Sequence, residues 1–162
     1  MTPTRLGALV AAFVLISDQI TKYWALDVLE WGRAGRIFVT AWFDLVLVWN
    51  RGISYGLFQQ ESDFGRWALV AIAIAAAIGC SIWLKSADNR VLATGLGLIV
   101  GGAIGNGIDR AIHGAVIDFV SLHYAGYYWY VFNIADAAIV AAVAALVYDS
   151  FRPRRNVAEN EE

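Results

Sequence analysis

Residues 131–148 read VFNIADAAIVAAVAALVY, an apolar run long enough to cross a bilayer, and its only charged residue is Asp136. A carboxylate at that depth costs several kcal/mol unless it is paired, protonated or in contact with water. A second carboxylate, Asp118, lies just upstream in the segment that leads into the run. Two acids that can meet at a membrane edge indicate a site for acid–base chemistry.

The composition around this run is that of a membrane protein. Hydrophobic residues make up 59% of the chain, charged residues only 16%, and the mean hydropathy is +0.57. Apolar stretches of about 20 residues, the length that crosses roughly 30 Å of hydrocarbon, occur four times. They are Leu6–Trp24, Trp67–Leu84, Val91–Ile112 and Val131–Tyr148. We predict four α-helices, since backbone groups in lipid must be satisfied within their own segment and four spans are too few for a β-barrel.

A cleaved signal peptide is the alternative interpretation of the first span, because Arg5 precedes an uncharged stretch of about a dozen residues. However, Asp18 and Lys22 stand where a small-residue cleavage site would lie, and three further spans follow. We therefore expect a retained first helix.

The connection between the first two spans has a different pattern. Residues Arg36–Asn50 are rich in Ile, Val, Phe, Leu and Trp, which favours strand, and residues 50–52 (NRG) are typical of a turn. We expect a β-ribbon over Arg36–Phe58 at the membrane interface, where Trp42 and Trp49 are well suited to headgroup depth.

The strongly polar residues of the spans are predicted to meet at one membrane face. Successive spans run in opposite directions, so the end of the first, the start of the second, the end of the third and the start of the fourth lie together. These ends carry Asp18, Lys22, Arg66, Asn106, Asp109, Arg110, Asn133 and Asp136, and the connections at the same face carry Asn50 and Asp118. This layout indicates a site open to one aqueous compartment, which we expect to be the outside.

Orientation depends on local charge, since Lys and Arg are evenly split over the connections as a whole. Arg152, Arg154 and Arg155 follow the fourth span directly and favour a cytoplasmic C-terminus, which places the N-terminus inside as well. We treat residues 1–151 as one membrane-embedded domain and residues 152–162 as a polar cytoplasmic tail.

Five short strings carry a family resemblance. They are residues 18–22 (DQITK), 50–54 (NRGIS), 101–110 (GGAIGNGIDR), 116–119 (VIDF) and 132–136 (FNIAD). In order and spacing they resemble the motifs of bacterial lipoprotein signal peptidase, also called signal peptidase II. Each string alone is weak, but all five in order on a four-span chain are specific. Arg51, Ile53 and Tyr55 stand where many relatives have smaller residues, which bears on the details of substrate contact.

The resemblance implies an aspartic peptidase of the bacterial inner membrane, with four transmembrane helices and a small β-cradle on the outer face. It implies diacylglyceryl-modified prolipoproteins as substrates, cleaved immediately before the lipidated cysteine, and neither metal nor cofactor. The catalytic pair falls on Asp118 and Asp136. Residues that surround and support the site fall on Asn50, Gly52, Asn106, Asp109, Arg110 and Asn133. We expect a monomer in contact with membrane lipid.

Two carboxylates that share a proton can hydrolyse a peptide bond, because one activates water while the other donates a hydrogen bond to the carbonyl oxygen. We expect Asp136 to hold the proton and Asp118, in a loop, to activate water, although the pair titrates as a unit. Asn133 is expected on the helical face of Asp136, three residues away. Asp109 is the rival for the second acid, and pairing with Arg110 is its alternative role.

The remaining polar and small residues are expected to be structural. Asp18 and Lys22 are spaced for an i, i+4 ion pair. His113 and His123, in the third connection, are expected to be solvated loop residues. The glycines of the third span form a smooth face that lets helices approach closely. They are Gly97, Gly101, Gly102, Gly105 and Gly107.

Other functions remain open at this point. A net charge of −2 gives no footprint for nucleic acid, and the single cysteine, Cys80, has no disulfide partner. A proton-coupled transporter using Asp18, Asp109 and Asp136 as a relay would need polar residues across the whole membrane depth. A non-catalytic membrane scaffold would need no paired acids.

Overall fold

A computed structural model of the chain describes residues 1–31, 35–52 and 63–151. Its elements are α1 (Pro3–Ala25), which continues into a π-helical turn (Leu26–Trp31), β1 (Arg36–Thr40), β2 (Phe43–Asn50), α2 (Asp63–Leu84), α3 (Arg90–His113), β3 (Val116–Tyr124), β4 (Tyr127–Tyr128) and α4 (Ile134–Ser150). The predicted tail and the predicted ribbon beyond Gly52 lie outside the described residues.

Local capping residues set the ends of the helices. The Thr2 side chain accepts a hydrogen bond from the Arg5 N–H, and Pro3 occupies the first turn of α1. The Asn89 side chain accepts from the N–H groups of two residues in the first turn of α3, and Gly114 ends that helix in the left-handed conformation at φ 75°. Each of the first three predicted spans lies within a helix of the structure. The helices extend beyond the spans by one to four residues, except at Leu84, where the second span and α2 end together.

Within the described residues, three helical segments are long and apolar enough to cross a membrane, namely Pro3–Leu29, Asp63–Leu84 and Arg90–His113. The fourth helix, α4, has 17 residues, so a fourth crossing stays a prediction. The predicted start of this span at Val131 was wrong. Phe132 is extended and exchanges backbone hydrogen bonds with Val120 of β3, at 2.8 and 3.0 Å, so α4 begins only after Asn133.

Helix α3 is central and packs against α1, α2 and α4. Its glycines allow this contact, as predicted. A Cβ atom at Gly101 would lie 2.6 Å from the Ala11 carbonyl oxygen of α1, and one at Gly102 would lie 2.7 Å from the Ala135 carbonyl oxygen of α4. The backbone of α3 is therefore in close contact with the backbones of α1 and α4, and this close packing brings the polar ends of the helices together.

A four-stranded antiparallel sheet, in the order β1-β2-β3-β4, covers one end of α1. The predicted ribbon is confirmed as the β1–β2 hairpin. Strand β3 was missed, since Asp118 was expected in a loop, although Val, Ile, Phe and Tyr are frequent in Val116–Tyr124. In the sheet Asp118 lies opposite Val48, and Asn50 lies opposite Val116.

The two histidines do not share one environment. His113 is the exposed last residue of α3. His123 belongs to β3, where its Nε2 lies 3.2 Å from the buried carboxylate of Asp44, so the prediction of a solvated loop histidine was wrong there. Arg36 of β1 binds the same Asp44 carboxylate, which belongs to β2, at 3.3 Å.

Candidate active site

Asp118 is completely buried in β3, and each of its carboxylate oxygens is hydrogen-bonded. Oδ1 accepts from the Asn133 amide at 2.7 Å, and Oδ2 accepts from the Asn50 amide at 2.9 Å. The Tyr130 hydroxyl donates to Oδ2 at 3.3 Å and also contacts the Asn50 amide. Side chains from β2 and from the connection between β4 and α4 therefore fix the position of this carboxylate.

Asp136 lies in the first turn of α4, where the positive end of the helix dipole stabilises a carboxylate. Its Oδ1 accepts from the Asn106 amide at 2.9 Å, and its Oδ2 accepts from the Asn133 backbone N–H at 3.3 Å. The Asn133 side-chain oxygen accepts from the Asp136 N–H at 2.9 Å, which completes a capping box. Asn133 is therefore the N-cap of α4, and the prediction that it lies on the helix face was wrong.

Asn133 contacts both carboxylates, because its amide nitrogen reaches Asp118 while its backbone and amide oxygen hold Asp136. The same amide nitrogen lies 3.2 Å from the side-chain oxygen of Asn106, whose own amide donates to Asp136. The two asparagines thus form a continuous link between the acids. Asp118 and Asp136 are brought to one site from a strand and from a helix start.

Arg110 joins the end of α3 to the turn after β2. Its Nη2 donates to the Gly52 carbonyl at 2.9 Å, and its Nη1 donates to the Asn106 carbonyl at 3.3 Å. The Asn50 side-chain oxygen accepts from the Gly52 N–H at 3.0 Å. The guanidinium therefore holds the turn from which Asn50 reaches Asp118.

Lys22 forms the predicted ion pair with Asp18 at 2.7 Å, and it also binds Asp109 at 2.8 Å. Gln19, which sequence reasoning missed, donates to Asp109 at 3.1 Å. Asp109 is thus held in a buried ion cluster, and the structure gives it no direct contact with Asp136. The rival assignment of Asp109 as the second acid finds no support in these contacts.

Tyr130 was the other residue that sequence reasoning missed. Burial, together with the neighbouring Asp118 carboxylate, raises the pKa of the Tyr130 hydroxyl. Its O–H therefore remains protonated and is able to donate to Asp118.

Burial raises the pKa of Asp118 to about 7, and the charge of Asp136 adds to the effect. Hydrogen bonds from Asn50 and Asn133 and the charge of Lys22 act in the opposite direction. An acid in this state holds its proton up to neutral pH, beside a second acid that is only half-buried.

Two largely apolar grooves reach Asp136. One, of about 400 Å³, lies between α2, α3 and α4 and has Asn50, Asn106 and Arg110 at its polar end. The other, of about 520 Å³, runs along the opposite side of α4 past Trp129, Tyr130 and Phe132. A polar centre flanked by apolar channels is suited to a ligand that has both polar and hydrocarbon parts.

Comparison with known proteins gives one consistent result. The family model described as Signal peptidase (SPase) II matches residues 10–152. A lipoprotein signal peptidase of Methylobacterium radiotolerans is 54% identical over 159 residues, which cover 94% of this chain and 90% of the relative. One of Nitrobacter hamburgensis is 54% identical over 155 residues, with 93% and 94% covered. A bacterial membrane enzyme solved by the in meso method at 2.3 Å resolution has a TM-score of 0.78 and 27% identity, covering 96% of this chain and 93% of its own.

Proposed function

The chain belongs to the signal peptidase II family, and on that basis we propose that it removes signal peptides from diacylglyceryl-modified prolipoproteins by cleaving immediately before the lipidated cysteine. Family membership makes the chain a protease, and its long apolar helices make it an integral membrane protein. The observation that carries the proposal is the pair of acids, Asp118 and Asp136, joined through Asn133 at the meeting point of two apolar grooves.

The pair hydrolyses the peptide bond with one shared proton and without a covalent intermediate. Asp136 is the more accessible acid, so in its ionised form it takes a proton from the attacking water. Asp118 has a raised pKa and supplies the hydrogen bond to the carbonyl oxygen of the scissile peptide. This reverses the roles expected from the sequence, which gave the proton to Asp136, and both roles belong to a coupled pair.

The supporting residues position the substrate and the dyad. Asn106 and Asn133 orient the carboxylates, while Arg110 holds the turn carrying Asn50 and Gly52 beside them. A proton relay through Asp18, Asp109 and Asp136 is less well supported, because Lys22 binds the first two at 2.7 and 2.8 Å and so withdraws them from transfer. The enzyme acts as a monomer and without a metal.

The directions of the helices support a site at one face of the inner membrane. The 17 residues of α4 span about 26 Å at 1.5 Å per residue, close to the thickness of the hydrocarbon, and form the fourth crossing. With both termini in the cytoplasm, the dyad lies on the periplasmic side. Cysteine-labelling of Tyr124→Cys and Ser86→Cys from outside tests this topology, since we expect only the first to react in intact cells.

The grooves beside Asp136 lead to a prediction about the lipid. A precursor whose cysteine lacks diacylglycerol is expected to show a kcat/KM about 100-fold lower than the matched lipidated precursor, because each buried methylene contributes about 0.8 kcal/mol and only part of the chains is held. Both precursors should be assayed with the purified protein in the same detergent. Equal kcat/KM values would mean that the grooves serve a different substrate.

The shared proton sets the expected pH dependence. We expect kcat/KM to fall as the pH rises through about 7, because ionisation of Asp118 in the free enzyme removes the proton that the pair needs. A pH–rate profile with the lipidated precursor measures this alkaline limb. The Tyr130→Phe variant is the control, and it should keep an alkaline limb because the phenol does not ionise in this range, although the limb moves to higher pH since Asp118 loses one hydrogen-bond donor. A limb that disappears in that variant would assign the titration to Tyr130.

A further inference from the structure

The residue that precedes Asp136 is held from α1. The backbone N–H of Ala135 donates to Asp18 Oδ1 at 2.9 Å, although the two residues are far apart in the chain. Ala135 and Asp18 are both fully buried. The first turn of α4, which carries Asp136, is therefore fixed to α1 by a hydrogen bond to a carboxylate.

The residue that precedes Asp118 is held in the same way. The backbone N–H of Ile117 donates to Asp109 Oδ2 at 3.2 Å, and Asp109 projects from α3. Strand β3 is thus anchored one residue before its own acid. In the sequence, each acid of the dyad directly follows a residue whose backbone N–H donates to a buried carboxylate.

Lys22 connects these two anchors. Its ammonium lies 2.7 Å from Asp18 Oδ2 and 2.8 Å from Asp109 Oδ2, and the residue is only 2% exposed. Its third donor goes to the side-chain oxygen of Asn106 at 2.9 Å. Because the oxygen of that amide faces Lys22, its NH₂ group is directed to Asp136.

We propose that Lys22 is a positioning residue, which sets the separation and the proton sharing of Asp118 and Asp136 through Asp109, Asp18 and Asn106. This inference rests on the proposed dyad. On one side, Lys22 holds Asp18, which accepts from the backbone N–H before Asp136. On the other side it holds Asp109, which accepts from the backbone N–H before Asp118. It also orients the side-chain amide of Asn106. A shift of about 1 Å in a reacting group can lower a rate about 100-fold, so fixing this spacing has a large effect on turnover.

The first test replaces Lys22 by Met, which keeps the length of the side chain and removes its charge. We expect kcat per folded molecule to fall about 100-fold while KM changes little, because the substrate grooves are untouched. Lys85→Met is the matched control, since Lys85 is exposed in the turn between α2 and α3, at the opposite end of the bundle, and its loss should leave kcat unchanged.

The pH profile separates positioning from simple support of the fold. The charged or titratable groups that face the acids from the described elements are Lys22, Asp109, Arg110 and Tyr130. Only the first is changed in the variant. Since the charge of Lys22 lowers the pKa of Asp118, its removal should move the alkaline limb to higher pH. A merely structural lysine would change the yield of folded protein and leave the limb in place.

Lys22→Met leaves two buried carboxylates without their cation and can fail to fold. The double variant Lys22→Gln with Asp18→Asn then decides, because it removes one charge of each sign and the new amide oxygen can still accept from the Ala135 N–H. We expect this variant to fold and to have a reduced kcat, with a smaller shift of the limb than in Lys22→Met because the two removed charges oppose each other. A folded double variant with the kcat and the pH profile of the wild type would overturn the proposal.

The wild-type protein and Asp118→Asn are assayed on the same lipidated precursor. An active wild type, an inactive Asp118→Asn and unchanged Lys22 variants would refute only the role of Lys22. An Asp118→Asn variant that remains active would refute the dyad and, with it, this inference.

Discussion

Asp118→Asn and Asp136→Asn are each expected to lower kcat/KM at least about 10,000-fold while the protein remains folded and inserted in the membrane. Asparagine has nearly the shape of aspartate, so the hydrogen bonds that Asn133 donates to Asp118 and that Asn106 donates to Asp136 can largely persist. What is lost is the carboxyl group that shares and transfers the proton. Cleavage of a lipidated precursor, followed with purified variants of verified thermal stability, measures the effect.

Asp149→Asn is the matched control for this pair of variants, since it makes the same chemical change on α4, at the end remote from Asp136. Its kcat/KM should equal that of the wild type. Substantial activity in either dyad variant would remove that residue from the reaction. Asp109 would then have to be reconsidered, despite its contacts with Lys22 and the Ile117 N–H.

The second large effect is expected at Asn133, which holds both acids. Asn133→Ala removes the N-cap of α4 and the amide that donates to Asp118, so we expect a loss of about 1 kcal/mol in stability and of about 1,000-fold in kcat. Asn133→Ser separates the two effects, because serine is a good N-cap but has no amide to reach Asp118. It should keep most of the stability and still show most of the loss in kcat.

Thermal denaturation and single-turnover cleavage of the two Asn133 variants provide the comparison. If Asn133→Ser recovers the wild-type kcat together with the stability, then Asn133 is only a helix cap. In that case the bond of 2.7 Å to Asp118 would have no part in the reaction.

The helices could be predicted from the sequence because length, apolar content and end residues are local properties. The third span was predicted as Val91–Ile112, and α3 extends it by a single residue at each end, between the Asn89 cap and Gly114. The start of α4 was placed too early, since hydropathy does not distinguish a helix from the extended Phe132, whose partner is Val120. The capping pattern of Asn133 and Asp136, three residues apart before an apolar run, was a local signal that could have corrected it.

Most residues that meet at the candidate site were expected there from the sequence, but Gln19, Tyr130 and most of the contacts were not. Alternating helix directions are enough to bring Lys22 and Asp109 to one membrane face. They do not specify that Asp109 binds the Ile117 N–H, nor that Gln19 joins the cluster, because these contacts depend on the rotation and depth of packed helices. The sequence did not single out Tyr130, because it is the last of four consecutive aromatic residues. In the structure the other three are exposed, and nothing in the sequence distinguishes Tyr130 from them.

Mass spectrometry of a single reaction tests the central claim most directly. Purified protein is mixed with a diacylglyceryl-modified precursor in water enriched in ¹⁸O, and both fragments and the intact enzyme are weighed at successive quench times. We predict a lipidated fragment that begins with the modified cysteine, one ¹⁸O atom in the new carboxylate of the signal peptide, an enzyme mass that never changes, and no products with Asp118→Asn. An enzyme adduct with the mass of the signal peptide, or cleavage at another bond, would contradict hydrolysis by the aspartate pair.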